Sequence, residues 1–368
     1  MDTPTPPSTA TFDRRRFHMA ALGVLAGISS TMLSLPAAAA SRRGHGRLAL
    51  VKPPALKRGD LVGLVAPSGA TNDTFVQQRV KNLEAFGMRV KVGHHILATR
   101  GNTAGSAQQR VDDLHAMFLD KEITAVWAVR GGSGASQMLP LIDYPLIRRH
   151  PKIFVGYSDI TALHLAILRH AGLITFHGPV ASAAFTDYAA TQLEAVLMHP
   201  RQQTTIYMSA ANQAQAPTAA EFRMRTLAAG VAEGRLIGGN LSVLAALVGT
   251  PFAADWKDAL LFLEDIREAP YRIDRMLTQL NQSQPLQQAA GVMLGVFRRS
   301  DTPADEPALT LEQTLEDHFS AFAARAKPAV YGYSFGHIAN QFTIPLGVRA
   351  RLDTRAETLT LLEPAVLI

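Results

Sequence analysis

The chain has 368 residues, 47% of them hydrophobic and 18% charged, which is enough for two ordinary domains or one large α/β domain with its own core. It contains no cysteine, which excludes disulfides, thiolate metal sites, a cysteine nucleophile and a lipid-modified N-terminal cysteine. The net charge of +6 comes from scattered Lys and Arg without a long run or interleaved aromatics, so no nucleic-acid-binding stripe is expected.

Asp13-Arg14-Arg15-Arg16-Phe17 precedes an apolar stretch from Met19 to Leu35, and Pro36-Ala37-Ala38-Ala39-Ala40 follows. This is the layout of an export signal: charged start, apolar middle, small residues at the cleavage point. Two arginines, one residue and Phe17 resemble the twin-arginine type. Residues 1–40 are therefore read as a signal peptide cleaved near Ala40, and a periplasmic mature protein is expected. The stretch is short for a bilayer span, and no other window is long and apolar enough, so no stable membrane insertion is expected once the signal is removed.

The first strand expected in the mature chain is Leu61-Val62-Gly63-Leu64-Val65-Ala66, a buried run ending in Pro67-Ser68-Gly69. Thr74 to Phe86 has helical spacing, and Gly87 stops it. Arg89 to Val92 is a strand, Ser106 to Leu119 a helix that Ser106 can cap, and Ala125 to Val129 a strand ending in Arg130-Gly131-Gly132-Ser133-Gly134. Lys152 to Val155 is a further strand, and a helix from Ile160 to Leu168 follows. This alternation predicts a mostly parallel sheet with helices on both faces over residues 50–200. Residues 201–225, rich in Gln, Ala and Thr, are expected to be a linker. A smaller mixed domain is expected over 226–368, with strands at Leu260–Leu263, Gly291–Phe297 and Ala329–Tyr331, and short strands and turns from Ile344 to Leu361.

Three segments carry chemistry. In Phe154-Val155-Gly156-Tyr157-Ser158-Asp159-Ile160, a buried strand turns sharply into a helix, and Ser158 stands at the tip. There the helix amides favour a developing negative charge, as in a nucleophile elbow. Ile160 replaces the second glycine of that motif, and a plain helix cap fits the same residues. His337, in Tyr333-Ser334-Phe335-Gly336-His337, lies just past an apolar strand among small residues. It fits either a catalytic base or a surface-loop histidine. Leu261-Phe262-Leu263-Glu264-Asp265 sets two carboxylates at a strand mouth, suited to orienting an imidazole or to favouring a helix dipole. The glycine-rich turn 130–134 offers bare amides for an oxyanion. It is no dinucleotide fingerprint, since the third glycine would fall at Gln137. No cofactor pattern and no metal-ligand spacing occurs.

These segments together resemble the LD-carboxypeptidase family of serine peptidases, the muramoyltetrapeptide carboxypeptidases. The likeness runs from Leu56-Lys57-Arg58-Gly59-Asp60 and Ala66-Pro67-Ser68-Gly69 through Arg130-Gly131-Gly132 and Gly134 to Gly156-Tyr157-Ser158-Asp159-Ile160-Thr161. It continues in Gly238-Gly239-Asn240-Leu241-Ser242, Leu263-Glu264-Asp265-Ile266 and Glu268, and closes at Gly336-His337 and Leu346-Gly347. The resemblance implies a Rossmann-like N-terminal domain and a swivel- or barrel-like C-terminal one. It implies a triad of Ser158, Glu264 and His337, and oxyanion donors at the amides of Gly132 and Asp159. It implies no cofactor, a homodimer, and peptidoglycan peptides as partners. The implied reaction releases a terminal D-alanine from the L-centre of meso-diaminopimelate or lysine through an acyl-enzyme. Relatives that destroy microcin-C-like conjugates give the alternative substrate. Better-known members work in the cytoplasm, and the export signal sets this chain apart from them.

Overall fold

In the first half of the chain, five short runs become strands, all but the exposed Arg89–Val92 largely buried, and a glycine, proline or helix-capping residue lies close beyond each. The computed structural model describes residues 48–181, 185–300, 302 and 307–368. The expected signal peptide at 1–40 and cleavage near Ala40 lie outside these residues, as does most of the proline-bounded loop 303–307. The strands are β1 (Leu61–Val65), β2 (Arg89–Val92), β3 (Ile123–Ala128), β4 (Ile153–Gly156) and β5 (Thr175–His177). They pair in parallel in the order β2-β1-β3-β4-β5. Central strands buried on both faces read as continuous apolar runs, as Ala125–Ala128 does. Helices α1 (Asp73–Ala85), α2 (Ala107–Leu119), α3 (Tyr144–Arg149) and α4 (Thr161–Ala171) connect the strands, and α5 (Asp187–Leu197) follows β5. Asn72 caps α1 by accepting from the Phe75 amide, and Ser106 caps α2 in a reciprocal pair with Gln109.

The strand order reverses direction at β1 and β3. In open α/β sheets, the crevice beyond the carboxyl ends of such neighbouring strands is where ligands bind. Here that crevice is framed by Ser68-Gly69 after β1, Gly131–Gly134 after β3 and Ser158 after β4.

The second sheet contains β6 (Thr204–Tyr207), β7 (Arg225–Ala228), β8 (Val231–Asn240), β9 (Ala259–Glu264), β10 (Gly291–Leu294), β11 (Ala329–Tyr331), β13 (Arg349–Asp353) and β14 (Thr358–Leu361). Their order is β6-β14-β13-β8-β9-β10-β11-β7, with β8 to β11 parallel and the outer strands antiparallel. Helices α6 (Ala210–Gln213), α7 (Leu241–Ala246), α8 (Pro270–Ser283) and α9 (Leu311–Phe319) belong to this half. The protein is thus a mixed α/β fold with two sheets, one largely parallel. Two details differ from the sequence expectation. The stretch 201–225 is not a bare linker, because it supplies the edge strand β6 and the helix α6. And β12 (Ile344–Leu346) leaves the second half to pair antiparallel with β5, closing the first sheet.

The core is continuous across both sheets and includes Trp127, Phe154, Phe176, Phe262 and Phe335, none more than marginally exposed. The buried Trp127 indole finds a partner in the Pro179 carbonyl at 2.9 Å. No helix among the described residues is long and apolar enough to cross a membrane.

Candidate active site

Ser158 follows β4 after a single residue and starts a one-turn 3-10 helix, Ser158–Ile160, that runs into α4. Its φ is +65°, a left-handed conformation that costs a side-chain-bearing residue of order 1–3 kcal/mol and persists where the surroundings enforce it. The hydroxyl caps neither this turn nor α4, so the helix-cap alternative does not describe it. The Oγ instead lies 3.0 Å from His337 Nε2. On the far side of the ring, Nδ1 lies 2.7 Å from Glu264 Oε2. With a carboxylate beside Nδ1, the ring carries its proton there, which leaves Nε2 as an acceptor for the Ser158 hydroxyl. The structure therefore brings together all three residues singled out from the sequence.

Each partner is held from behind. Glu264 ends β9 in register with Asn240 at the end of β8, and its side chain is fully buried. Asn240 donates from Nδ2 to Glu264 Oε1 at 3.3 Å and to Asp265 Oδ1 at 3.1 Å. Its own Oδ1 accepts from the Val243 amide and the Ser242 hydroxyl at the start of α7. The Asn240 amide donates to Thr161 Oγ1 at 3.0 Å, which ties the acid to the helix that follows the serine. Asp265 accepts from the amides of Ser242 and Ile266. The Asp159 carboxylate accepts from Ser68 Oγ at 2.5 Å and from the Ala135 amide at 2.8 Å, joining the loops after β1, β3 and β4. Asn240, Ser68 and Thr161 carry no catalytic signal of their own in the sequence, whereas Asp265 is the second of the two carboxylates read at the strand mouth. Asn240 has only the mark of a helix cap, a polar residue directly before an apolar helix.

The electrostatics follow from burial and charge. Burial pushes the Glu264 carboxyl up, but the His337 charge and hydrogen bond, aided by His177 and Asn240, outweigh it and hold Glu264 below the usual carboxylate range. Burial likewise drives the His337 imidazole down. The Glu264 charge and hydrogen bond, with Asp265, more than offset this and raise it above the ordinary histidine value. Asp265 is pushed up to about 6, by burial first and by the neighbouring Glu264 charge second.

A cavity of about 300 Å³ opens over Ser158 and is lined by both expected oxyanion residues, Gly132 and Asp159, together with Asn240, Ser242, Asp265 and Glu268. Gly131 cannot be larger, since a Cβ there would lie 2.9 Å from Ser158 Cβ and 3.1 Å from its Oγ. At Gly336 a Cβ would press within 3.1 Å of the Glu264 carboxylate, so His337 can follow so closely only after a glycine.

The fold and the site define an α/β protein with a serine–imidazole–carboxylate chain at the mouth of its parallel sheet. The chain belongs to the LD-carboxypeptidase family. Residues 62–178 match the family's N-terminal domain and residues 233–352 its C-terminal domain. It is 40% identical over 308 residues to a probable murein peptide carboxypeptidase of Bacillus subtilis, covering 83% of this chain and 93% of that one. A murein tetrapeptide carboxypeptidase of Pseudomonas aeruginosa is 34% identical over 298 residues, covering 79% and 92%. The crystal structure of an MccF-like protein from Bacillus anthracis superposes with a TM-score of 0.73 at 28% identity, covering 84% of this chain and 99% of that one.

Proposed function

We propose that this protein is an exported serine carboxypeptidase that removes the terminal D-alanine from peptidoglycan tetrapeptides, at the L-centre of meso-diaminopimelate or lysine. The observation that carries the reading is the unbroken contact chain from Ser158 Oγ through His337 to Glu264, with steps of 3.0 and 2.7 Å. In the forward step, His337 Nε2 takes the hydroxyl proton as Ser158 Oγ bonds to the scissile carbonyl carbon. The buried Glu264 carboxylate stabilises the imidazolium that forms. The oxyanion of the tetrahedral intermediate is received by the amides of Gly132 and Asp159, at the positive end of the turn that leads into α4. His337 then passes its proton to the leaving nitrogen, and D-alanine departs. Water, deprotonated by the same imidazole, hydrolyses the acyl-enzyme.

The sequence of the leader and the names of the murein-peptide relatives support the wall peptide as substrate. The test is release of D-alanine from a defined tetrapeptide by the mature protein, wild type against Ser158→Ala. Turnover by wild type and its loss in the variant is the expected result; full activity in Ser158→Ala refutes the assignment. The likeness to an MccF-like structure keeps a peptide–nucleotide conjugate as the second substrate to assay. Hydrolysis of the conjugate with no turnover of tri-, tetra- or pentapeptide stems moves the function to that class.

A further inference from the structure

Beneath the catalytic chain lies a histidine that none of these steps uses. His177 ends β5, in register with Gly156, which stands two residues before Ser158, and it is fully buried. Its ring centroid is 6.0 Å from that of Tyr157, the residue before Ser158. It is 5.4 Å from Phe262, two residues before Glu264, and 6.4 Å from Phe335, two residues before His337. Tyr157 in turn lies 4.9 Å from the His337 ring. The three segments that present the three reacting side chains therefore converge on one imidazole.

This nest is aromatic, and a phenylalanine would keep the ring contacts of His177. Instead, neither ring nitrogen of His177 has a hydrogen-bond partner among the described residues. A buried N–H left unpaired lowers stability, and proteins keep such groups mainly where they serve a site. The charged and titratable groups that act on this ring are Glu264 from β9, His337 beyond Tyr157, and His164 from α4. Burial drives His177 down to about 4, against the pull of Glu264, so at neutral pH it is an uncharged dipole. Glu264 is the acid that acts on this ring, and its field favours the tautomer whose N–H faces it.

We propose that His177 is a positioning residue for the reaction: it packs the strand ends that carry Ser158, Glu264 and His337 into one register and turns its N–H dipole toward the Glu264 carboxylate. This rests on the peptidase reading above. The test compares His177→Phe, which keeps the aromatic packing, with His177→Gln, which keeps an N–H donor, on a tetrapeptide substrate. The expected result for His177→Phe is a kcat about tenfold lower with KM within about twofold, a displaced acid limb of the pH profile, and a melting temperature at or above that of wild type. His177→Gln recovers most of the lost kcat. Wild-type kcat and pH profile in His177→Phe overturn the proposal, as does a loss in both variants that only tracks a lowered melting temperature. Should His177→Phe fail to fold, ¹⁵N spectra of the histidines in the wild-type protein decide: one neutral tautomer at His177 that changes in Glu264→Gln is expected, and an unchanged tautomer overturns it. Ser158→Ala in the same series separates the two readings, because its retained activity would remove the peptidase mechanism itself.

Discussion

Replacing Glu264 by glutamine removes one charge and leaves the shape of the side chain, so the loss it causes can be worked from the contacts. Glu264 is fully buried, and its Oε2 lies 2.7 Å from His337 Nδ1. With charge centres about 4 Å apart and an effective dielectric near 20, the attraction for the imidazolium is about 4 kcal/mol. That stabilisation is realised as the proton moves from Ser158 to His337, and at about 1.4 kcal/mol per decade its removal lowers kcat about 10³-fold. The Asn240 contact adds to the loss. Its Nδ2 donates to Glu264 Oε1, so the new amide turns its oxygen toward Asn240 and its NH₂ toward His337 Nδ1. The ring must then carry its proton on Nε2, facing the serine, where it cannot act as a base. The pH profile shifts as well. His337 is raised in the native protein by Glu264, and only the neutral ring accepts the proton, so kcat/KM of wild type rises with pH through a midpoint above about 6.5. Without the carboxylate, burial dominates and the midpoint of the residual activity falls below that value. D-Alanine release from a tetrapeptide, followed from pH 5 to 9 for both proteins with circular dichroism as a control of folding, measures this. Activity of Glu264→Gln within tenfold of wild type, or an unmoved midpoint, refutes the reasoning.

Gly131→Ala places a methyl group 2.9 Å from Ser158 Cβ and displaces the nucleophile; a shift of about 1 Å predicts a loss near 10²-fold in kcat at little change in melting temperature, and activity within threefold of wild type contradicts it. Asp159→Ala strands the buried Ser68 hydroxyl and the Ala135 amide, which Asp159 now satisfies, so denaturant unfolding is expected to show a loss of about 1–3 kcal/mol. Unchanged stability would mean that the three loops are not joined through this carboxylate. For export, Arg14→Lys combined with Arg15→Lys is expected to move the full-length protein from the periplasmic to the cytoplasmic fraction; an unchanged distribution on fractionation argues against a twin-arginine route.

How much of this was readable in the chain depends on what fixes each element. β9 is legible because Ala259–Glu264 is buried along its whole length and so reads as an unbroken apolar run ending in a carboxylate. Ser158 and His337 are legible for a related reason, since each sits where an apolar run meets glycine and a turn. β6 is not. Thr204–Tyr207 alternates between exposed and buried positions over only four residues, and it becomes a strand through pairing with β14, whose partner residues lie about 150 positions away. Asn240 hides for the same reason. Its place beside Glu264 is set by the register between β8 and β9, and an asparagine before a helix is common enough to look like a cap and nothing more. The family likeness locates the reacting side chains, but the polar residues that hold them are visible only once the strands are aligned.

The crossing of β12 back to β5 has a consequence for the catalytic chain. The edge of the first sheet is completed by Ile344–Leu346, which pair with β5, and His337 lies just before them. A chain lacking the stretch from His337 to Leu346 would hold Ser158 on a sheet without its edge strand and with no imidazole beside it. Completion of the first sheet and placement of the imidazole therefore depend on the same short stretch of chain.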